Sequence, residues 1–270
     1  MKDTPMIERK IERKLGWIMQ KEDPRDYGFE RLLRLKKFAF KDLPKVANNR
    51  FWCSGVEDQG ELGSCAANAW AGLLEYNRCK NGLGGKQYLD FSRLFVYYNE
   101  RLLEGNVAED SGATLRSGAR TLASDGACVE SLWPYKIVDF TDKPTPAAYA
   151  NGLQYNIHNY YALNSLSDMK TCISNGQCFV FGFTVYESFM STEMAKSGIM
   201  PMPKENENAL GGHAVMAVGY NDYDKRFLIK NSWGKQWGLK GKNAGYFTMP
   251  YDFISNWNMV SDFWTLDLKG

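Results

Sequence analysis

The apolar residues of this chain change their period near Gly176, and that change limits the fold more than any other feature. Before it they recur at helical spacing. Ala66, Ala69, Trp70, Leu73, Leu74 and Tyr76 form one such run, and Asn81-Gly82 and Gly84-Gly85 stop it. FSRLFVYYNERLLEG predicts a second helix, with Ser92 as its N-cap and Gly105 as its stop. TLRSGARTLASDG predicts a third, and SLSDMKTCISNG a short fourth. After Gly176 the run QCFVFGFTV alternates, with Phe179, Phe181 and Phe183 on one face. HAVMAVGYN and RFLIKNSW read as strands joined through DYDK, a hairpin-type connection, and AGYFTMP and FWTLDL read as further strands. The prediction is an α+β fold. It has a helical lobe over roughly 60–160, a strand-rich lobe over roughly 161–266 and a groove between them, a usual place for a ligand.

Composition narrows the function classes. Hydrophobic residues make up 44% of 270, an ordinary globular content. The net charge is +2, from 33 basic and 31 acidic residues, which points away from nucleic-acid and membrane-surface partners. No stretch is apolar for long enough to predict a transmembrane helix. The first thirty residues lack the apolar centre of a Sec-type signal peptide, so a cytoplasmic location is expected. The six cysteines, at 53, 65, 79, 128, 172 and 178, contain no CxxC pair, so no zinc site is expected. A chain this long and apolar does not need disulfides as a framework, and reduced thiols are expected.

Residues 1–42 differ from the core that follows at 43–270. They hold 12 basic and 8 acidic residues, a net of +4. MIERKIERKLGWI brings Met6 or Ile7, Ile11, and Leu15 or Ile18 near one helical face, a modest amphipathic pattern. Asp23-Pro24 and Leu43-Pro44 read as turns or extended pieces. Two readings are open for this extension: a solvated arm, or a segment that docks on the body and covers a site.

QGELGSCAANAW places Cys65 where a glycine-punctuated loop runs into a helix. A thiol there sits beside free backbone N–H groups at the positive end of the helix dipole, which favours the thiolate. A thiolate that attacks a carbonyl needs an imidazole to carry protons and a partner to orient that imidazole. It also needs donors for the oxyanion. The Cys65 N–H and the Gln59 amide are candidate donors. The chain has two histidines, His158 and His213. GGHAVMAVGY puts His213 at the head of a strand, after Gly211 and Gly212, which allow close approach. IKNSWGKQWG puts Asn231 at the end of the next strand, followed by Trp233 and Trp237. If these strands pair, the asparagine amide can accept from an imidazole N–H, and an indole can keep water off that bond. His158, in QYNIHNYYAL, has no comparable neighbourhood.

In these stretches the chain resembles the papain-like cysteine proteases. The matching residues are Gln59 and GSC around Cys65, GGHAVMAVGY around His213 and KNSWGKQWG around Asn231. His213 falls 148 residues after Cys65, and Asn231 falls 166 after. ESLWPY, DSGATLR and LPKVANNR carry weaker similarity, so the resemblance spans about residues 43–266. It implies a two-lobed fold with the active site in the cleft, hydrolysis of peptide bonds in a peptide or protein substrate, and no metal or organic cofactor. By position it makes Cys65 the nucleophile, His213 the general base and acid, Asn231 the residue that orients His213, and Gln59 an oxyanion donor. It makes Trp233 the shield of the His–Asn pair and, with Gly112 and Gly212, a candidate for contact with substrate.

The departures are specific. Leu62 stands where the family usually has a cysteine, and Ala66 where it usually has tryptophan. The disulfide through the first of those positions cannot form. Residues 1–42 are too few for the long inhibitory propeptide of many relatives, yet long enough to reach the cleft. Two rival functions are an acyl or peptidyl transferase built on the same Cys–His pair, and a non-catalytic peptide-binding module.

Overall fold

The computed structural model describes residues 13–36, 42–82 and 89–268, and every element below lies among them. The helices are α1 (Phe29–Lys36), α2 (Cys65–Lys80), α3 (Arg93–Glu104), α4 (Leu115–Ser124), α5 (Pro146–Gly152), α6 (Leu166–Ser174), α7 (Thr192–Ser197) and α8 (Tyr251–Ile254). Local chemistry sets their ends as the sequence predicts. The Ser92 hydroxyl accepts the Phe95 N–H at 3.0 Å, and Gly105, at φ 77°, closes α3 in the left-handed conformation. Thr114 and Ser165 cap α4 and α6 in the same way. Helix α2 is buried on every side from Cys65 to Asn77, as befits a central helix, and packs on α3, α4 and the sheet.

One antiparallel sheet holds β1 (Val46–Asn48), β2 (Ile157–Ala162), β3 (Phe179–Tyr186), β4 (Ala209–Asn221), β5 (Arg226–Lys230), β6 (Tyr246–Pro250) and β7 (Val260–Leu268). The order is β2-β7-β3-β4-β5-β6, with β1 paired to β4. Strands β4 and β5 form the predicted hairpin, with Asn221 opposite Arg226 and Met216 opposite Lys230. Strand β3 differs from the prediction. Its residues from Phe179 to Phe183 are all buried, because α2, α4 and α6 also pack against this strand. β1 and β2 have no clear signal in the sequence, since each is completed by a partner strand rather than by its own pattern. Phe183, Phe189, Trp233, Trp237 and Phe247 form an aromatic cluster around His213.

The amphipathic helix expected over Met6–Ile18 is not what its described part forms. Residues 1–12 lie outside the described residues. Residues 13–20 are extended, and Trp17 makes a parallel bridge with Ala113. Backbone bonds to the core replace those of a helix too short to hold itself. A helix does form later, as α1, which buries Phe29, Leu32 and Leu33. The Ala162 N–H donates to Tyr27 O at 2.8 Å, and Lys36 pairs with Asp267 at 2.8 Å, so this part of the extension is fastened to the β2 edge.

Candidate active site

Cys65 is the first residue of α2 and is fully buried. His213 lies on β4 opposite Phe183 of β3, and Asn231 follows the last residue of β5. The hairpin brings His213 Nε2 to 2.8 Å from Asn231 Oδ1. That same oxygen accepts the Ser232 N–H at 2.8 Å, which fixes the amide orientation. His213 therefore donates through Nε2–H, and its Nδ1, which has no hydrogen-bond partner, is left as the basic nitrogen. The Trp233 ring stacks on the imidazole, with centroids 4.8 Å apart and planes at 30°.

Gln59 is held from both ends. Its Oε1 accepts from Ser232 Oγ at 2.7 Å, and its backbone N–H donates to Ser232 O at 2.9 Å. The Nε2 donates to Leu62 O at 2.9 Å and has a second hydrogen for the cleft. That hydrogen is occupied: Nε2 also donates to the Lys14 carbonyl at 3.1 Å.

Segment 13–20 crosses the site. The Gly16 N–H faces the Cys65 thiol, as does the Ala214 N–H. The Trp17 N–H donates to Gly212 O at 3.0 Å, the Ile18 N–H to Ala113 O at 3.1 Å, and the Ala113 N–H to Gly16 O at 2.8 Å. Gly16 is required by space, because a Cβ there would fall 1.8 Å from Gly63 O. Arg13 pairs with Asp58 and donates to Trp233 O at 3.1 Å, and Lys14 pairs with Asp110 at 2.7 Å.

Burial decides the electrostatics. It pushes the Cys65 thiol up to about 11, although the N–H groups of Ala214, Gly16 and Ala66 pull it down. It holds the His213 imidazole down at about 4, against the pull of the Asn231 bond. The position of Cys65 at a helix N-terminus predicts a lowered thiol, and the structure corrects this. In the covered cleft dehydration outweighs the helix end, and both groups are neutral at pH 7.

The structure brings Cys65, His213, Asn231 and Gln59 into one cleft, and His158 lies apart on β2, exposed. The substrate-contact candidates fall out differently. Gly212 bonds the bound segment through its carbonyl. The backbone partner on the opposite wall is Ala113, one residue past Gly112. Gly112, at φ 77°, donates to Tyr97 Oη at 3.1 Å, and a Cβ there would fall 2.1 Å from Gly16 O. Its contribution is clearance rather than a bond. The Trp233 ring is 2% exposed and stacked on His213, and its carbonyl accepts from Arg13 of the segment. Ala113 and Asp262, which accepts the Trp17 indole N–H at 3.0 Å, were missed, and the extension 1–42 was read as able to cover a site without the residues that lie over it being singled out. One signal was available for the segment: a glycine followed by tryptophan within an otherwise charged stretch.

The sequence profile described as papain family cysteine protease matches residues 43–261. A peptidase C1-like protein of Acanthamoeba polyphaga mimivirus is 38% identical over 95% of this chain and 87% of its own length. The crystal structure of xylellain, a cysteine protease from Xylella fastidiosa, is 34% identical and superposes with a TM-score of 0.84, covering 95% of this chain and 96% of that one. The proCathepsin B of Trypanosoma congolense shares the fold at 18% identity and a TM-score of 0.68, over 95% of this chain and 87% of its own. The chain belongs to the papain family of cysteine proteases and is a papain-like cysteine peptidase.

Proposed function

We propose that this peptidase cleaves peptide bonds through Cys65, His213 and Asn231, and that residues 13–20 keep it closed. Cys65 Sγ attacks the scissile carbonyl carbon while its proton passes to His213 Nδ1. The carbonyl oxygen, now an oxyanion, takes the Gln59 Nε2–H and the Cys65 N–H. The C–N bond breaks as His213 returns the proton to the leaving amine, and a thioester remains. Water, deprotonated by His213, attacks the thioester, and the acid leaves with Cys65 restored. Asn231 holds the imidazole in the tautomer that leaves Nδ1 free.

One observation carries the reading: the Lys14 carbonyl rests on Gln59 Nε2 while the Gly16 amide lies at the thiol. A peptide carbonyl thus occupies the place the mechanism assigns to the oxyanion. The segment also dehydrates Cys65 and His213, so departure of the segment is what lets water and substrate reach them.

The test uses three full-length proteins under reducing conditions with a panel of fluorogenic peptides. They are the parent, a Gly16→Leu/Trp17→Ala variant, and that variant carrying Cys65→Ala. Weak, strong and absent cleavage, in that order, is the expected result. Equal cleavage by the first two would remove the closing role of the segment. No cleavage by the opened variant would remove the hydrolase reading in favour of transfer or binding.

A further inference from the structure

The two donors assigned to the oxyanion are the Gln59 Nε2–H and the Cys65 N–H, and neither is aimed by its own residue alone. The Cys65 N–H belongs to the peptide plane that it shares with the Ser64 carbonyl. That carbonyl accepts twice from Asn68, from the backbone N–H at 3.0 Å and from Nδ2 at 2.9 Å. A peptide unit is planar and trans, so fixing the carbonyl also fixes the N–H, which points the opposite way.

A chain of polar side chains joins this plane to Gln59. Asn68 Nδ2 also donates to Ser64 Oγ at 3.1 Å, and Ser64 Oγ lies 2.5 Å from Tyr135 Oη. Tyr135 Oη lies 2.9 Å from the Gln59 carbonyl. A carbonyl can only accept, so the phenol donates to it, and the proton between the two hydroxyls comes from Ser64. Donation therefore runs from Asn68 to Ser64 to Tyr135 to Gln59, and each bond polarises the next. Burial raises the Tyr135 phenol to about 12, so it keeps its proton at neutral pH.

The phenol ring is itself held. The Arg93 guanidinium lies over it, 4.2 Å from the centroid, and stands 3.2 Å from Glu57 and 3.7 Å from Glu130. Glu130 Oε1 accepts the Tyr135 N–H at 2.5 Å. Glu57 lies two residues before Gln59, and Arg93 begins α3, so one cation ties the tyrosine and the Gln59 loop to the helical lobe. Tyr135 is the last residue of ESLWPY, a stretch to which the catalytic steps give no task.

We infer that Tyr135 and Asn68 are positioning residues for the reaction: through Ser64 and the Gln59 carbonyl they set the spacing of the two oxyanion donors. This inference rests on the catalytic reading proposed above. An oxyanion forms only when sulfur adds to a carbonyl. Alkylation by iodoacetamide makes the S–C bond at a saturated carbon, with iodide leaving and the thiol proton lost to His213, and it draws on neither donor. A peptide aldehyde draws on both. Sγ adds to the carbonyl carbon, the π pair moves to oxygen, and the thiol proton passes through His213 onto that oxygen. The two reagents separate donor placement from thiol reactivity.

The test uses the full-length opened Gly16→Leu/Trp17→Ala variant, alone and carrying Tyr135→Phe, Ser64→Ala or Asn68→Ala. The Kd of a peptide aldehyde is read from its protection of Cys65 against iodoacetamide. It should rise about tenfold or more in Tyr135→Phe, while the alkylation rate of the free thiol stays within about twofold. On a peptide substrate kcat should fall by about ten- to a hundredfold with KM little changed. Ser64→Ala cuts the same chain at its middle and Asn68→Ala at its start, so each should give this pattern even where Tyr135→Phe fails to fold. Tyr135→Phe/Ser64→Ala should lose little more than the larger single effect, because both substitutions cut one chain. If alkylation, aldehyde binding and kcat all fall by one factor, the chain only holds the loop together and the inference is overturned. Unchanged aldehyde binding in the variants overturns it as well. If aldehyde binding weakens as expected while no peptide is cleaved, the positioning assignment stands and the hydrolytic reading falls. If the variants cleave peptides as fast as the opened parent, the hydrolytic reading stands and the positioning assignment falls.

Discussion

The His213–Asn231 pair and the segment lying over it touch each other's surroundings yet are held by different means. The pair sits in the middle of a hydrogen-bonded sheet, with Phe183, Phe189, Trp233 and Trp237 packed around it. Moving it means breaking the core. Segment 13–20 is held by a few backbone bonds, one inserted indole and two ion pairs at its start. Moving it exposes one face and leaves the sheet intact. On the proposed reading these two kinds of attachment make a rigid site under a separable cover, because local opening draws on only the few contacts that it breaks.

The sharpest way to break this comparison is to remove an aromatic ring from each region. Phe183→Ala and Trp17→Ala should each cost about 3–5 kcal/mol. They should spend it in different equilibria. Phe183→Ala should lower the denaturant midpoint of the whole protein. Trp17→Ala should instead raise the alkylation rate of Cys65 by about a hundredfold or more under native conditions. Low urea should separate them, since a local opening exposes little surface and its rate should hardly vary with denaturant. A steep urea dependence of alkylation in Trp17→Ala would mean that cover and core open together.

The second prediction concerns what the cover does to the imidazole. His213 is held at about 4 in the closed cleft, against an ordinary 6.5. The unfolded chain therefore binds more protons than the folded one between those values. The contribution of His213 to stability is complete above about pH 6.5 and is lost as pH falls towards 4, by about 3 kcal/mol. Glu75 and Glu130, both raised to about 7 by burial, act in the opposite sense. The parent minus a His213→Gln variant isolates the imidazole. That difference in unfolding free energy should shrink by about 3 kcal/mol from pH 7 to pH 4. In the opened Gly16→Leu/Trp17→Ala background the change should be smaller, because water then reaches the ring. An equal change in both backgrounds would show that the core, not the cover, dehydrates His213.

The same contrast explains what could be read from the sequence. His213 and Asn231 were legible because the strands around them announce themselves by period, and a short hairpin fixes which residues meet. Cys65 was legible because a glycine-punctuated loop before a buried helix marks a helix start. Segment 13–20 was not, since its conformation comes from the cleft walls and its own pattern suggests a helix. Asp262 was not legible either: a bulge that shifts the register of β7 on β3 by one residue has no local signature in FWTLDL or the residues before it. The raised thiol of Cys65 was hidden too, because it follows from complete burial in the folded chain, which the helix-start pattern around Cys65 does not announce.

The smallest expected effect tests the entrance of the cover, where charge rather than packing holds it. Arg13 pairs with Asp58 and Lys14 with Asp110, and in each pair one partner is more than two-fifths exposed. Water screens such pairs, so each should be worth less than about 1 kcal/mol. Arg13→Ala and Lys14→Ala should therefore speed Cys65 alkylation only a few-fold, far less than Trp17→Ala. Salt should mimic them. The screening length falls from about 30 Å at 0.01 M to about 3 Å at 1 M. Raising ionic strength over that range should accelerate alkylation a few-fold in the parent, and much less in the Arg13→Ala/Lys14→Ala double variant. If salt leaves the parent unchanged, these pairs fix only the course of the segment over Asp58 and Asp110. The indole and the backbone bonds would then account for closure alone.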